Sequence, residues 1–348
     1  MAYSSIVKPT DYFNALLYTG NGSTNALTGV GFQPDWVWLK GRSNGDGSRL
    51  YDAVRGTTKE IYSDAADAES TNSNGLTAFG TDGFTLGSSS GTNGSSKTYV
   101  AWNWLGANGT ASNSDGSITS TVSANTTAGF SIVSFTGTGS NATIGHGLGS
   151  APKMIIIKNR SATDDWAVYH GSLATDKYLR LNQSTTQETG TPMWNDTAPT
   201  TSVFSVGTYH NSNGPSENMI AYCFAEKKGY SKFGSYVGNN NDDGTFVYLG
   251  FKPAFLLIKI TDTQTDNWIL QDNKRNTFNL STSQRLRANT SGAEFSSSNE
   301  IDLLSNGFKV HGADGEINGS GASYIYLAFA ENPFVANDSG TAVPVVAR

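Results

Sequence analysis

The amino-acid sequence predicts an all-β protein made of three tandem β-sandwich domains of one repeated type, with a jelly-roll or lectin-like arrangement. Three observations predict it: a repeat of roughly 100 residues, a composition rich in turn formers and aromatics, and no long segment with a helical period. Of the 348 residues, 39 are Gly and only 15% are charged. β-Branched and aromatic residues suit a pleated, half-buried surface, and Gly, Asn and Ser suit the turns between strands.

Each repeat has the same order of features: a Gly, a Pro-led apolar strand that ends on Lys, a Phe in a turn, and an aromatic closing strand. The Gly-to-Pro spacing is 14, 15 and 15 residues, Lys follows Pro by six, and Phe follows Pro by 50, 52 and 55. The repeated positions are Gly20, Gly137 and Gly238; Pro34, Pro152 and Pro253; Lys40, Lys158 and Lys259; Phe84, Phe204 and Phe308; and Trp104, Phe224 and Phe329. Since solenoid repeats are shorter and independent domains have about this length, we expect three domains with separate cores.

The Pro-led strand has two apolar faces. In the third copy Phe255 and Leu257 alternate with Leu256 and Ile258, and successive strand side chains point to opposite faces. Such a strand lies between two packed layers. Its final residue, Lys259, is expected to mark the point where the strand reaches water.

The closing strand has one large apolar face and one smaller, more polar face. In the first copy Trp102 and Trp104 share the large face, and Tyr99, Ala101 and Asn103 lie on the other. We expect the smaller face to lie beneath a loop or a neighbouring chain.

Composition shifts predict the domain boundaries. The expected order is an N-terminal arm at 1–10, a first sandwich at 11–106, a Gly/Ser/Thr/Asn linker at 107–128, a second sandwich at 129–230, a third at 231–335, and a C-terminal tail at 336–348. The linker is expected to be extended and open to protease, and the tail to be mobile unless a partner orders it.

Charge and cysteine content exclude several classes of protein. A net charge of −6 argues against a nucleic-acid partner. The single cysteine, Cys223, excludes a disulfide scaffold and is predicted to be a buried strand residue. No apolar run approaches the ~18 residues of a membrane span, and the N-terminus lacks a signal-peptide pattern. We therefore expect synthesis in a cytoplasm, with no membrane insertion.

The sequence contains no recognised catalytic, phosphate-binding or metal-ligating motif, so we predict no enzyme activity, no cofactor and no metal. One position just after the Lys strand is polar in every copy, as Asp52, His170 and Asp272. A catalytic carboxylate would not be replaced by His in the middle copy. We therefore interpret it as a hydrogen-bonding position at a strand end.

Three residues are candidates for surface or glycan contact. Trp194 and Tyr209 could stack on sugar rings, or they could cap the edge of a sandwich. His146 lies in a Gly-His-Gly-Leu-Gly turn at 145–149, where it is either a ligand contact or a turn residue. The sequence leaves these alternatives open.

Several segments carry a family resemblance: Tyr-Thr-Gly-Asn-Gly at 18–22, Gly-Phe-Gln-Pro-Asp-Trp-Val-Trp-Leu-Lys at 31–40, and Ala-Gly-Phe-Ser-Ile-Val at 128–133. The chain resembles the tandem domain of unknown function found in virion structural and tail-fibre-type proteins of bacteriophages that infect marine bacteria. The resemblance implies a homotrimeric virion component on the tail, in contact with other virion proteins and with a glycan or receptor of the host surface. It transfers no catalytic residue.

The resulting functional prediction is a virion structural protein, a tail fibre or tail-associated adhesin that binds the host surface without catalysis. A capsid decoration or head-fibre protein is the first alternative. A polysaccharide-degrading tailspike is the second, and it is disfavoured because such enzymes usually use long β-helices with short repeats.

Overall fold

The computed structural model describes residues 4, 6–279, 281–298, 301–338 and 341–344. A 3₁₀ turn at Pro9–Asp11 precedes the first of three related units. The first unit has large-sheet order β1-β9-β3-β4-β5-β6 and small-sheet order β2-β8-β7. Its elements are β1 (Phe13–Thr19), β2 (Asn25–Thr28), β3 (Trp36–Gly41), β4 (Arg49–Asp52), β5 (Lys59–Tyr62), β6 (Ser70–Thr71), β7 (Leu76–Gly80), β8 (Gly83–Leu86), α1 (Ser90–Asn93) and β9 (Thr98–Trp104).

The second unit has large-sheet order β10-β11-β12-β19-β14-β15, with the strand pairs β13-β18 and β16-β17 beside it. Its elements are β10 (Ala111–Asn113), β11 (Ser120–Asn125), β12 (Phe130–Thr136), β13 (Ala142–Gly145), β14 (Met154–Asn159), β15 (Ala167–His170), β16 (Lys177–Tyr178), β17 (Glu188–Thr189), α2 (Thr191–Trp194), β18 (Val203–Val206), α3 (His210–Asn213) and β19 (Asn218–Phe224).

The third unit has large-sheet order β20-β28-β22-β23-β24-β25 and small-sheet order β21-β27-β26, followed by a terminal hairpin. Its elements are β20 (Ser231–Val237), β21 (Phe246–Tyr248), β22 (Phe251–Ile260), β23 (Ile269–Asp272), β24 (Ser283–Arg287), β25 (Phe295–Ser297), β26 (Ile301–Leu304), β27 (Gly307–Val310), α4 (Gly315–Asn318), β28 (Ser323–Pro333), β29 (Val335–Asp338) and β30 (Thr341–Pro344). None of the helices in the described residues is long and apolar enough to cross a membrane.

The all-β class and the two-faced strands are confirmed. On β9, Trp102 and Trp104 lie in one core cluster and Tyr99 and Ala101 in another. The smaller face is covered by the unit's own small sheet, through residues such as Phe84. Cys223 is buried as predicted.

One face of every large sheet contributes to a single shared cluster, here called the central core. Its members come from all three units and include Trp36, Trp38, Trp102, Trp104, Phe130, Met154, Trp166, Tyr222, Phe224, Phe255, Leu257, Trp268, Leu327 and Phe329. The three closing aromatics meet in it. The ring centres of Trp104 and Phe329 are 5.7 Å apart, and those of Phe224 and Phe329 are 6.0 Å apart.

The expected organisation of three tandem β-sandwich domains is not confirmed. Each unit does have a second hydrophobic cluster between its large and small sheets. The other face of its large sheet, however, is buried against the two other units. Large apolar side chains contribute roughly 1.5–3 kcal/mol each when buried. A shared core therefore couples the stability of the three units.

Residues 107–128 are not a free linker, because they contain the β10–β11 hairpin. Strand β11 pairs with β12 from Thr121↔Ser134 to Asn125↔Phe130, so the hairpin extends the sheet of the second unit. Ser and Thr dominate the segment because one side of it faces solvent, which made it resemble a tether. The N-terminal arm also contributes to the core through Ile6.

The predicted tail at 336–348 lies partly outside the described residues. Within them, β29 and β30 pair as a hairpin that follows the end of β28.

Close backbone packing explains the Gly that opens each repeat. A Cβ at Gly20 would lie 2.3 Å from the Gly94 carbonyl oxygen. A Cβ at Gly137 would lie 2.2 Å from the Gly214 carbonyl oxygen. A side chain at either position would push the strand that ends there, β1 or β12, away from the helix that precedes the closing strand.

Candidate functional site

The polar position after the Lys strand joins neighbouring units. Asp52 accepts a hydrogen bond of 2.7 Å from the Tyr222 hydroxyl of the second unit. Asp272 of the third unit accepts one of 3.0 Å from the Trp102 indole of the first. His170 Nε2 lies 3.1 Å from the Tyr326 carbonyl oxygen of the third unit. The three contacts run in a circle around the molecule and are structural.

We call the interfaces between units 1 and 2, 2 and 3, and 3 and 1 the first, second and third junctions. At the first, Arg55 is fully buried, pairs with Asp52, and lies 3.2 Å from Glu69. Glu69 in turn binds Arg160 through two hydrogen bonds of 2.8 and 3.0 Å. A buried charge network of this kind is stable only when every member is paired.

The third junction repeats this network. Arg275 pairs with Asp272 at 2.6 Å and with Glu294 at 3.2 Å. Glu294 binds Arg42 of the first unit through two hydrogen bonds of 2.9 Å. These contacts join the last unit to the first and close the ring.

The second junction has no such network among the described residues. The equivalent positions hold His170, Leu173, Gln187 and Thr261. The backbone contact is retained, because the Gln187 amide donates to the Thr261 carbonyl at 2.9 Å, as Glu69 does to Arg160. The four positions that form the charge network elsewhere are therefore uncharged at this junction at neutral pH.

Burial lowers the pKa of His170 to about 4. Its Nδ1 accepts the Ser172 amide, which leaves Nε2 to donate to Tyr326. Since the folded pKa is below the usual value of about 6.5, the contribution of His170 is complete above about pH 6.5 and is lost as the pH falls through 4. A shift of this size corresponds to about 3 kcal/mol.

We expect the His170→Gln protein to lose less stability than the unchanged protein between pH 6.5 and 4, because Gln does not titrate. Urea unfolding at each pH measures this difference. The same substitution at the exposed His210 serves as the comparison for a His-to-Gln change at the surface. Equal slopes in the His170 variant and the unchanged protein would contradict the assignment.

The repeated lysines are buried, so the prediction that they reach water is wrong. Lys158 donates to the Ala66 carbonyl of the first unit at 3.0 Å, and Lys259 donates to the Ser184 carbonyl of the second at 3.0 Å. Lys40 donates to the Thr290 carbonyl of the third unit at 2.6 Å. Burial lowers the pKa of each to about 8. Each ammonium group holds a loop of the preceding unit.

Two of the three candidate contact residues are buried, and for them the structure favours the structural alternative. Trp194 packs edge-on against Tyr169 inside the second unit. His146 is also buried; its Nδ1 accepts the Leu148 amide and it acts as a turn residue. Tyr209 is at the surface, and its role in binding stays a prediction.

Asp164, His210 and Glu217 bring potential metal ligands within 4.8 Å of one another. The Asn159 amide nitrogen donates to both carboxylates, at 2.7 and 2.5 Å. Its orientation is set by the Ser161 amide, which donates to the Asn159 oxygen. The carboxylates are therefore satisfied by an amide, and the cluster gives no indication of a metal site.

The candidate site is a pair of exposed aromatic rings on the edge strand β21. Phe246 is 45% exposed and Tyr248 is 49% exposed, while Val247 between them is buried in the third unit. The ammonium group of Lys232 lies 5.4 Å from the centre of the Tyr248 ring and donates to the Tyr248 carbonyl. We call Phe246, Tyr248 and Lys232 the aromatic platform.

The neighbouring strand keeps the platform accessible. Gly307 on β27 is the register partner of Tyr248. A Cβ at Gly307 would lie 3.2 Å from a ring carbon of Phe246 and 2.0 Å from the Val247 carbonyl oxygen. A larger residue there would crowd the rings.

The other two units show that the fold does not need these rings. Register places Ala26 and Thr28 at the equivalent positions of the first unit, and Thr143 and Gly145 at those of the second. The sequence contains this signal, since aligning the three repeats on Phe84, Phe204 and Phe308 exposes the difference. The prediction that this Phe lies in a turn is wrong, because the structure places it in strands β8, β18 and β27.

These features define an all-β protein in which three related units surround one core and the third unit displays an aromatic platform. The chain belongs to the family described as Domain of unknown function (DUF7483), whose model matches residues 8–333. No curated protein matches the chain, and no solved structure matches it.

Proposed function

We propose that this chain is a structural protein of a bacteriophage virion, a tail fibre or tail-associated adhesin that binds host-surface glycans without catalysis. The observation that carries the proposal is the aromatic platform. Phe246 and Tyr248 are exposed where the other units carry small or hydroxylated residues. Exposed apolar surface that the fold does not require is typical of an interaction site.

The platform has the chemistry of a carbohydrate contact. Side chains two apart on a strand project from the same face about 6.5–7 Å apart, so the two rings offer adjoining apolar surfaces to the C–H face of a sugar. The Tyr248 hydroxyl and the Lys232 ammonium add polar contacts beside them. Tyr combines an apolar ring with a polar tip, which suits a contact that is apolar at one end and wet at the other.

The polar residues common to the units support a role without catalysis. Asp52 and Asp272 are engaged by buried arginines, and the repeated lysines bind carbonyl groups of adjacent units. These groups stabilise the fold. The shared core also joins the three units into one body. This suits a protein that connects its binding surface to a particle.

The resemblance to virion proteins supports a place on the tail, with copies associating as a homotrimer. Cryo-electron microscopy of the intact particle tests both, because one map gives position and symmetry. We expect density at the tail with threefold symmetry. Density over the head lattice would contradict the tail assignment and identify a capsid decoration protein.

Replacing Phe246 with Ala and Tyr248 with Thr, the residues that the first unit carries, is expected to weaken binding to host envelope polysaccharide about tenfold. Each stacking contact is worth roughly 0.5–1.5 kcal/mol beyond its buried area, and the melting temperature should not change. Biolayer interferometry on immobilised polysaccharide measures the affinity.

Phe278→Ala is the matched control, because Phe278 is 67% exposed and lies outside the platform. It should bind as the unchanged protein does. Equal binding by the double variant would overturn the platform as the binding site. New reducing ends in the polysaccharide after incubation would overturn the assignment as a non-enzyme.

A further inference from the structure

A cavity of about 340 Å³ lies at the second junction. Its walls come from both adjoining units. The second unit supplies Ser172, Leu173, Ala174, Lys177 and Gln187, and the third supplies Ser235, Thr261, Asp262, Ser323, Tyr324 and Ile325. The volume is in the range of small-molecule sites, roughly 300–1,000 Å³.

The charge networks of the other junctions explain why the cavity exists here. At the first junction the positions of Leu173, Gln187 and Thr261 hold Arg55, Glu69 and Arg160, whose side chains contact one another. The third junction is filled in the same way by Arg275, Glu294 and Arg42. The second junction has shorter, neutral side chains at all three positions. The backbone contact and His170 still join the two units there. The fold therefore does not need side chains that fill this space.

The cavity is lined mostly by uncharged polar groups. Thr261 and Asp262 are engaged with the backbone of Ser323, at 3.1 and 2.8 Å. By contrast, the side-chain polar groups of Ser172, Gln187, Ser235 and Ser323 have no hydrogen-bond partner among the described residues. Groups of this kind in a concave site are the elements that orient a ligand.

The charges in the cavity balance. The charged residues of the lining, Lys177 and Asp262, have opposite signs, and both are engaged by the protein: Lys177 by Asp176 and Thr189, and Asp262 by the Ser323 amide. Leu173 and Ile325 add apolar surface. Hydroxyl and amide donors and acceptors around an apolar patch, with no net charge, match a neutral, polyhydroxylated ligand better than an anion or a cation.

We propose that the cavity at the second junction binds one neutral, hexose-sized sugar unit. This site is separate from the aromatic platform and does not rest on the virion assignment. The ligand could be a free sugar or one unit of a glycan chain, and both present the same hydroxyl chemistry.

Saturation-transfer NMR tests the proposal with methyl α-glucopyranoside, methyl β-galactopyranoside and an oligosaccharide mixture from host envelope. We expect transfer to at least one of these neutral probes and several-fold less to sodium glucuronate. Transfer to the methyl glycosides indicates a site for free sugar, and transfer to the oligosaccharides alone indicates a site for a chain. No transfer to any neutral probe would overturn the proposal.

The residues of the other two junctions indicate which substitutions should fill the cavity. His170→Asp, Leu173→Arg, Gln187→Glu and Thr261→Arg together introduce the network of the other two junctions. When the platform substitutions are also present, so that the platform gives no signal, we expect this variant to fold and to show at least fivefold less saturation transfer. Full transfer in the folded variant would show that the sugar binds elsewhere.

Gln187→Ala is a second test, should the quadruple variant fail to fold, since it removes one unpaired amide and retains the backbone contact. It should reduce transfer several-fold, and unchanged transfer would contradict the site. The platform variant, Phe246→Ala with Tyr248→Thr, should retain transfer. Loss of transfer in the platform variant would assign the signal to the platform and overturn the cavity.

Discussion

Replacing Trp36 with Ala is expected to destabilise the whole chain by about 3–5 kcal/mol, as large aromatic truncations in cores do. Trp36 belongs to the first unit, yet its ring lies 4.4 Å from the Tyr222 ring and 5.7 Å from the Phe130 ring, centre to centre, in the second. It also lies 4.4 Å from Trp104. Its loss therefore opens a cavity between units.

The form of the unfolding transition is as informative as its midpoint. Because the core is shared, we expect a single unfolding transition for the whole chain, with its midpoint shifted to lower urea concentration. Far-UV circular dichroism and tryptophan fluorescence during urea unfolding measure this transition. Phe278→Ala, at an exposed ring, should leave the midpoint unchanged. A first unit that melted separately, with the other two unaffected, would contradict a shared core.

Replacing Arg55 with Met is expected to destabilise the protein by about 3–5 kcal/mol, because it leaves Asp52 and Glu69 without their buried partner. Asp52 is fully buried and Glu69 nearly so. Chemical denaturation at neutral pH measures the loss. Leu173→Met, at the equivalent position of the neutral second junction, should cost less than about 1.5 kcal/mol.

The second junction also provides a rescue. Asp52→His, Arg55→Leu, Glu69→Gln and Arg160→Thr would give the first junction the residues of the second. We expect this variant to recover most of the stability that Arg55→Met loses, since no buried charge is left unpaired. A quadruple variant as unstable as the single one would show that the network acts through shape and packing rather than charge pairing.

Local patterns predicted much of the fold. The constant spacing of six residues from Pro to Lys indicates three equivalent units. Alternation on the closing strand separates Trp102 and Trp104 from Tyr99 and Ala101. These features depend on residues close in the chain, where side-chain direction follows from strand geometry.

The candidate sites were less accessible to sequence reasoning. The sequence does not distinguish an exposed Trp from a buried one. Trp194 is buried in a cluster whose members come from several strands, among them Tyr169 on β15. The aromatic platform could have been found by comparing the repeats. The junction cavity could not, because it requires knowing that Gln187 and Thr261 face each other across two units.

The sequence by itself determined the β class, the three related units and the strands with two buried faces, because alternation and turn chemistry are local properties. Only the tertiary structure decided what covers those faces: one core for three units, and a ring closed by contacts such as that between Arg42 and Glu294. The repeated lysines show the reason. A charged side chain can be buried only where another part of the chain supplies its partners, and for Lys40 that partner is Thr290, in the last unit of the chain.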